Sequence, residues 1–227
     1  MSKRITKKEL SQPDLFQVLI AKVAKLISNH KQKIYLISSA IIFILLLSSG
    51  WYFYQENKEK KAQVLYTKAY LASLSNNADG THIDQGSLKL YQDVISQYPG
   101  TKAAMIAYYH IGNLRYRLND IEGSIKAYQE YLKSASDDNI LIPFIYIGLG
   151  YCYENKKDFE AALDYYEKAS KTKSGVNYEN INLRNIARIY EKQNNKGKAV
   201  EYYQKALEKT SDPFINQYIK KKISTLG

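Results

Sequence analysis

The sequence predicts an all-α protein: one transmembrane helix, then an α-solenoid of paired helices closed by a C-terminal capping helix. Three observations carry this. Residues 34–54 contain no charged side chain. Three later stretches repeat one another at a spacing of 37–38 residues. The last segment, DPFINQYIKKKISTLG, opens on Asp-Pro, a helix-start signal.

Taken in order, the first element is a basic tail, residues 1–33. Eight Lys/Arg precede the apolar run (Lys3, Arg4, Lys7, Lys8, Lys22, Lys25, Lys31, Lys33), against two acids. SQPD at 11–14 reads as a capping box, with Ser11 at the N-cap and Asp14 three residues on. Leu15, Phe16, Leu19, Ile20, Val23, Leu26 and Ile27 then follow helical spacing, with Lys22 and Lys25 off the stripe. A basic amphipathic helix beside a membrane lies on the anionic leaflet or docks on another membrane protein.

The second element, IYLISSAIIFILLLSSGWYFY at 34–54, is long enough to cross a bilayer: its 21 residues make about 31 Å of helix. Tyr35 marks one end and Trp51, Tyr52 and Tyr54 the other, where amphipathic rings suit the lipid–water interfaces. A cleaved signal sequence would have a shorter apolar core and a small-x-small cleavage site. The expected topology keeps the positive tail in the cytoplasm and puts residues 55–227 across the membrane. The basic excess is thus an orientation signal, and nucleic acid is not an expected partner.

The third element carries the repeats. YYHIGNLRYRLNDIEGSIKAYQEYL (108–132), YIGLGYCYENKKDFEAALDYYEKAS (146–170) and LRNIARIYEKQNNKGKAVEYYQKAL (183–207) superpose, and Tyr128, Tyr166 and Tyr203 coincide. Tyr91 lies another 37 residues back, with Pro99 after it. Small residues recur on the first helix (Gly112, Gly150, Ala187) and on the second (Ser124, Ala162, Ala199), where two helices cross closely. The first repeat departs from this pattern at Arg115 and Tyr131. The pattern resembles tetratricopeptide repeats, which implies helix pairs near 57–99, 105–138, 143–176 and 180–211 and a cap at 212–226. Residues 57–75 read as a helix continuing outward from the anchor. NNADGTHIDQG at 76–86 reads as a loop, and SASDDNILIP and KTKSGVNYEN hold the extra residues between repeats.

Catalytic chemistry is not expected. His30, His82 and His110 lack metal-ligand spacing, and Gly148 and Gly150 have no third glycine or preceding strand. The single cysteine, Cys152, allows neither a disulfide nor a paired-cysteine zinc site and falls on a buried helix face. Asp137 and Asp138 read as solvated loop acids. No cofactor or metal is implied, and the chain reads as a protein-binding module rather than an enzyme.

In such solenoids the first helices of successive pairs line a concave groove. The groove candidates are Tyr109, Asn113, Tyr116 and Arg117 in the first repeat, Tyr151, Glu154 and Asn155 in the second, and Arg184, Arg188, Glu191 and Lys192 in the third. The aromatic rings would pack on extended peptide, and the Arg/Lys set would hold acidic groups. The basic clamp that some tetratricopeptide domains close on a partner's C-terminal carboxylate is not reproduced, because Tyr109 and Ile147 replace its cation.

The whole layout is similar to the YfgM-like family of bacterial inner-membrane proteins, with INLRNIARIY (181–190) and YIKKKISTL (218–226) similar to its last repeat and C-terminus. That resemblance implies a single-pass inner-membrane protein with a periplasmic repeat domain. Its partners would be the SecYEG translocon, periplasmic chaperones and exported chains, and it would assist export or folding. The alternative for the same layout is a structural scaffold for another cell-envelope assembly complex.

Overall fold

Three helix pairs are closed by one recurring turn. In a computed structural model, which describes residues 15–74, 80–137 and 139–227 (backbone only for 80–84), the pairs are α4–α5 (Lys102–Arg117, Ile121–Ser134), α6–α7 (Ile142–Asn155, Phe159–Lys171) and α8–α9 (Glu179–Lys192, Lys196–Glu208). The turn places Asn119, Lys157 and Asn194 in the left-handed region, with φ of 61°, 63° and 58°. The residue after each caps the second helix: Asp120 accepts from Gly123 N at 2.9 Å, Asp158 from Ala161 N at 3.1 Å and Asn195 from Lys198 N at 3.1 Å. Before these pairs come α1 (Leu15–Asn29), α2 (Lys31–Leu74) and α3 (Gly80–Gln97); after them comes α10 (Pro213–Leu226). Among the described residues there are thus ten α-helices, with a short 3-10 turn at Gly175–Tyr178 in the expected inter-repeat insertion.

The recurring tyrosines form the core of each pair. Tyr128, Tyr166 and Tyr203 are buried, each against the small residue of its own first helix. A Cβ at Gly112 would run into the Tyr128 ring, and one at Gly150 into the Tyr166 ring. Tyr128 also reaches the next repeat, since a Cβ at Gly148 would sit 2.6 Å from its Cζ. Ser124 donates to the Gly112 carbonyl at 2.8 Å and accepts from the buried Cys152 thiol at 3.3 Å. Burial pushes the pKa of that thiol up, so it is an inert packing group.

Residues 80–86, expected in a loop, are the first turns of α3. Burial of Ser87, Tyr91 and Val94 on this helix outweighs the glycine-rich local preference. The Asn-rich stretch 75–79 and the SQPD capping box at 11–14 lie outside the described residues, as does Asp138. The last half of α2 packs with α3 and α4 through Ala62 and Ala69, both fully buried. Glu59 accepts the backbone N–H groups of Lys102 (2.8 Å) and Ala103 (3.0 Å), so a carboxylate from one helix caps the N-terminus of another. His110 shares a 2.9 Å hydrogen bond with the Tyr66 hydroxyl and stacks on Tyr91, with centroids 4.8 Å apart. Burial lowers its pKa to about 4.

The described chain divides into two compact units after Glu56. In the first, α2 from Tyr35 to Tyr54 is exposed throughout and is long and apolar enough to cross a membrane. Ser38, Ser39 and Ser48 return their hydroxyls to the carbonyls of Tyr35, Leu36 and Leu45 at 3.1, 2.9 and 2.9 Å, which leaves the helix outwardly apolar.

Candidate protein-binding site

Helices α4 and α6, the first helices of the first two pairs, bring five of the expected residues to one pocket of about 370 Å³. Tyr109, Asn113, Tyr116 and Arg117 come from α4 and Tyr151 from α6. Phe144, Ile147 and Gly148 on α6 complete the wall, and Tyr128 of α5 closes the floor. Phe144 and Gly148 escaped the sequence reading of the groove, and Ile147 entered it only as the residue replacing a clamp cation. The positions of Phe144, Ile147 and Gly148 relative to Tyr151 (seven, four and three residues back) put all four on one helical face, a signal that was available. The pocket is mostly apolar, with aromatic rings on both walls. The Tyr128 hydroxyl donates to Asn113 Oδ1 at 2.6 Å, which fixes the orientation of an amide that lines the pocket. Burial raises the Tyr116 and Tyr128 phenols, so both stay neutral donors.

Three of the remaining candidates, Glu154, Arg188 and Lys192, form a polar seam between the second and third repeats. Glu154 is only 8% exposed, and its carboxylate accepts from Arg188 Nε (2.8 Å), Arg188 Nη2 (2.6 Å) and the Tyr166 hydroxyl (2.9 Å). Lys192 adds an ion pair at 2.9 Å. Burial pushes the Glu154 carboxyl up, but hydrogen bonds from Arg188 and Lys192 and the Arg188 charge outweigh it and hold it at about 2. Glu154 is thus engaged in joining repeats and is not open to a ligand. Arg188 also lies 5.4 Å from the Tyr151 ring centroid and donates to Asn185 Oδ1 at 3.0 Å, which links the seam to the pocket edge. Glu191 accepts from Tyr203 at 3.1 Å and from Lys222 of α10 at 3.0 Å, the same arrangement one junction later. Arg184 is half-buried on α8, and Asn155 is exposed at the end of α6.

The junctions follow one rule with one exception. Tyr166 and Tyr203 bond the acid on their own first helix, Glu154 and Glu191. The equivalent position in the first repeat is Tyr116, so the Tyr128 hydroxyl turns to Asn113 instead. An aromatic ring thus replaces a carboxylate where the pocket opens. Among the described residues no group of three or more His, Cys, Asp or Glu gathers as metal ligands.

A row of helix pairs with an aromatic pocket between its first helices defines a helical-repeat module. Residues 85–139 and 141–210 match the tetratricopeptide-repeat family, together more than half of the chain, and the chain belongs to that family. Its structure superposes on that of BtubC (BKLC) from P. vanneervenii with a TM-score of 0.57 at 13% identity, covering 76% of this chain and 82% of that one. It also superposes on MamA (residue 41 to the end) from Desulfovibrio magneticus RS-1, with a TM-score of 0.52 at 17% identity, covering 65% and 74%. At these identities the likeness is one of fold. A stretch of 104 residues is 35% identical to ycf37 of Cyanophora paradoxa, taking in 44% of this chain and 57% of that protein. The match therefore spans little more than half the length of that relative.

Proposed function

We propose that the chain is a membrane-anchored adaptor: residues 34–54 cross the membrane, the tail stays in the cytoplasm, and the pocket between α4 and α6 holds an apolar segment of a partner protein. The observation that carries this is the pocket of about 370 Å³, walled by Tyr109, Tyr116, Phe144 and Tyr151, where the next junction has a closed ion pair. Aromatic rings give large contact area at low entropic cost, and Arg117 adds a cation at the rim. The similarity to the YfgM-like family supports a finer reading, a translocon accessory that meets exported chains in the periplasm.

The test is a photo-crosslinking residue at position 116 in native membranes, read by mass spectrometry. SecYEG with periplasmic chaperones is the expected capture. One defined set of other envelope subunits, without SecYEG, would replace the translocon reading by a structural scaffold. Cytosolic proteins would invert the topology. A partner captured equally well from position 205, on the exposed face of α9, would end the assignment to the pocket.

A further inference from the structure

The second and third repeats each carry a stacked pair of tyrosines on the outer side of their helix pair. Tyr153 and Tyr165 stack with centroids 5.2 Å apart, and Tyr190 and Tyr202 with centroids 5.4 Å apart. A lysine covers each second ring: Lys168 Nζ is 4.9 Å from the Tyr165 centroid and Lys205 Nζ 4.7 Å from that of Tyr202. Tyr165 also rests beside Tyr146, with centroids 6.2 Å apart. The 38-residue spacing between the first two repeats maps Tyr153, Tyr165, Lys168 and Tyr146 onto Arg115, Ala127, Glu130 and Tyr108. The first repeat therefore lacks both stacked rings.

No other aromatic ring takes their place there. A pocket of about 330 Å³ opens there, bounded by Ile95 of α3, Tyr108, Ile111 and Arg115 of α4, and Ala127 and Glu130 of α5. The missing ring volume has moved one turn along α5: Tyr131 stands where the other repeats have Ala169 and Ala206. Tyr131 is fully buried with Ile142 and Ile145, donates to Asn139 Oδ1 at 2.8 Å, and does not line the pocket. An engineered protein cavity of about 150 Å³ suffices to bind benzene, so there is room for a ring. Arg115, whose Nε lies 3.7 Å from Asp120 Oδ2, occupies the position of the stacking partner. A guanidinium there faces an incoming π surface with the opposite electrostatic sign.

We infer that the pocket between α3 and α5 is a docking site for one aromatic side chain, tyrosine or phenylalanine, of a partner protein, the ring taking the place that Tyr165 and Tyr202 fill in the other repeats. The molecule's own repeats supply the template for the occupant, in walls of the same kind: Leu132 clusters with Tyr146, Tyr153 and Tyr165 as Ile95 would with the guest. This site is separate from the pocket between α4 and α6 and does not depend on the function proposed above.

The experiment uses the full chain in lipid nanodiscs, with methyl-labelled alanine and isoleucine, titrated with N-acetyl-tyrosinamide and, in parallel, N-acetyl-leucinamide. The expected result is saturable, upfield ring-current shifts at Ala127, Ile111 and Ile95, at least about tenfold weaker for the leucine probe. Ala127→Tyr should abolish the shifts at Ile111 and Ile95, the reporters that both variants keep, and raise the melting temperature, because it restores the ring; Ala127→Leu, a smaller filling, should also abolish them. No shift at these methyls, or shifts that persist in both variants, would overturn the proposal. So would a lower melting temperature in both, which would mean that the space does not fit a ring. Concentration-dependent shifts without probe, accompanied by a dimer that Ala127→Tyr dissolves, would assign the pocket to a second copy instead.

Discussion

Glu154 is an acid kept ionised by neighbours 12 to 38 residues away in the sequence. In the unfolded chain a glutamate titrates near ~4.3; here the carboxyl is held at about 2. The stability it contributes is therefore complete above about pH 5 and is lost as the pH falls toward the folded value. Glu154→Gln should cost about 2 kcal/mol at neutral pH, discounted because Arg188 and Lys192 reach solvent, and little at pH 2. Thermal unfolding of the full chain in detergent at pH 7, 5 and 3 checks this: the gap between variant and parent should close in acid. A gap that stays constant with pH would mean that the cost is one of packing. At this scale the sequence was partly legible. Register alone put Tyr109, Tyr116 and Tyr151 on one face. Register also put Glu154 there, but it carries no information on whether a charge already has a partner, and the partner comes from the next repeat.

At the scale of the element, the pair-closing turn and the close helix crossing are both written locally. Asn119 and Asn194 suit the left-handed region, whereas Lys157 holds the same φ without a side chain that favours it. Lys157→Asn should raise stability by about 0.5 kcal/mol, readable as a higher melting temperature, with no change at the Asp158 cap. The glycines separate by environment. Gly150→Ala gains about 1 kcal/mol of helix propensity but forces the Tyr166 ring aside at a cost of about 1–3 kcal/mol, so the expected net is a loss. Gly197→Ala, on α9 with nothing within 4 Å of its Cβ position, should be neutral to stabilising. Equal shifts in the two variants would contradict the ring contact. The repeat alignment already marked Gly150 as a crossing point. The start of α3 was not legible, because Asp-Gly-Thr reads as a turn until the burial of Tyr91 and Val94 is known.

At the scale of the whole molecule, the repeats behave as a row in which each pair is stabilised by the next, and the end of the row needs a cover. The Asp-Pro start of α10 made that cover legible; the means by which it attaches was not. Ile219 is fully buried with Ala187, Tyr203 and Ala206, Ile215 and Ile223 pack around it, and Lys222 completes the Glu191 pair. Each fully buried aliphatic side chain contributes about 1.5–3 kcal/mol, so removing residues 211–227 should destabilise the last pair by several kcal/mol. The loss should also be local. Nearest-neighbour coupling predicts that α8 and α9 lose hydrogen-exchange protection, α6 and α7 lose less, and α4 and α5 keep theirs. The Glu154–Arg188 pair governs how far the opening travels, since with Lys192 it forms the charged tie between the second and third pairs. In the truncated chain, Arg188→Met should therefore confine the loss more sharply to α8 and α9. Uniform deprotection from α4 to α9 would show instead that the helix pairs unfold as one cooperative block.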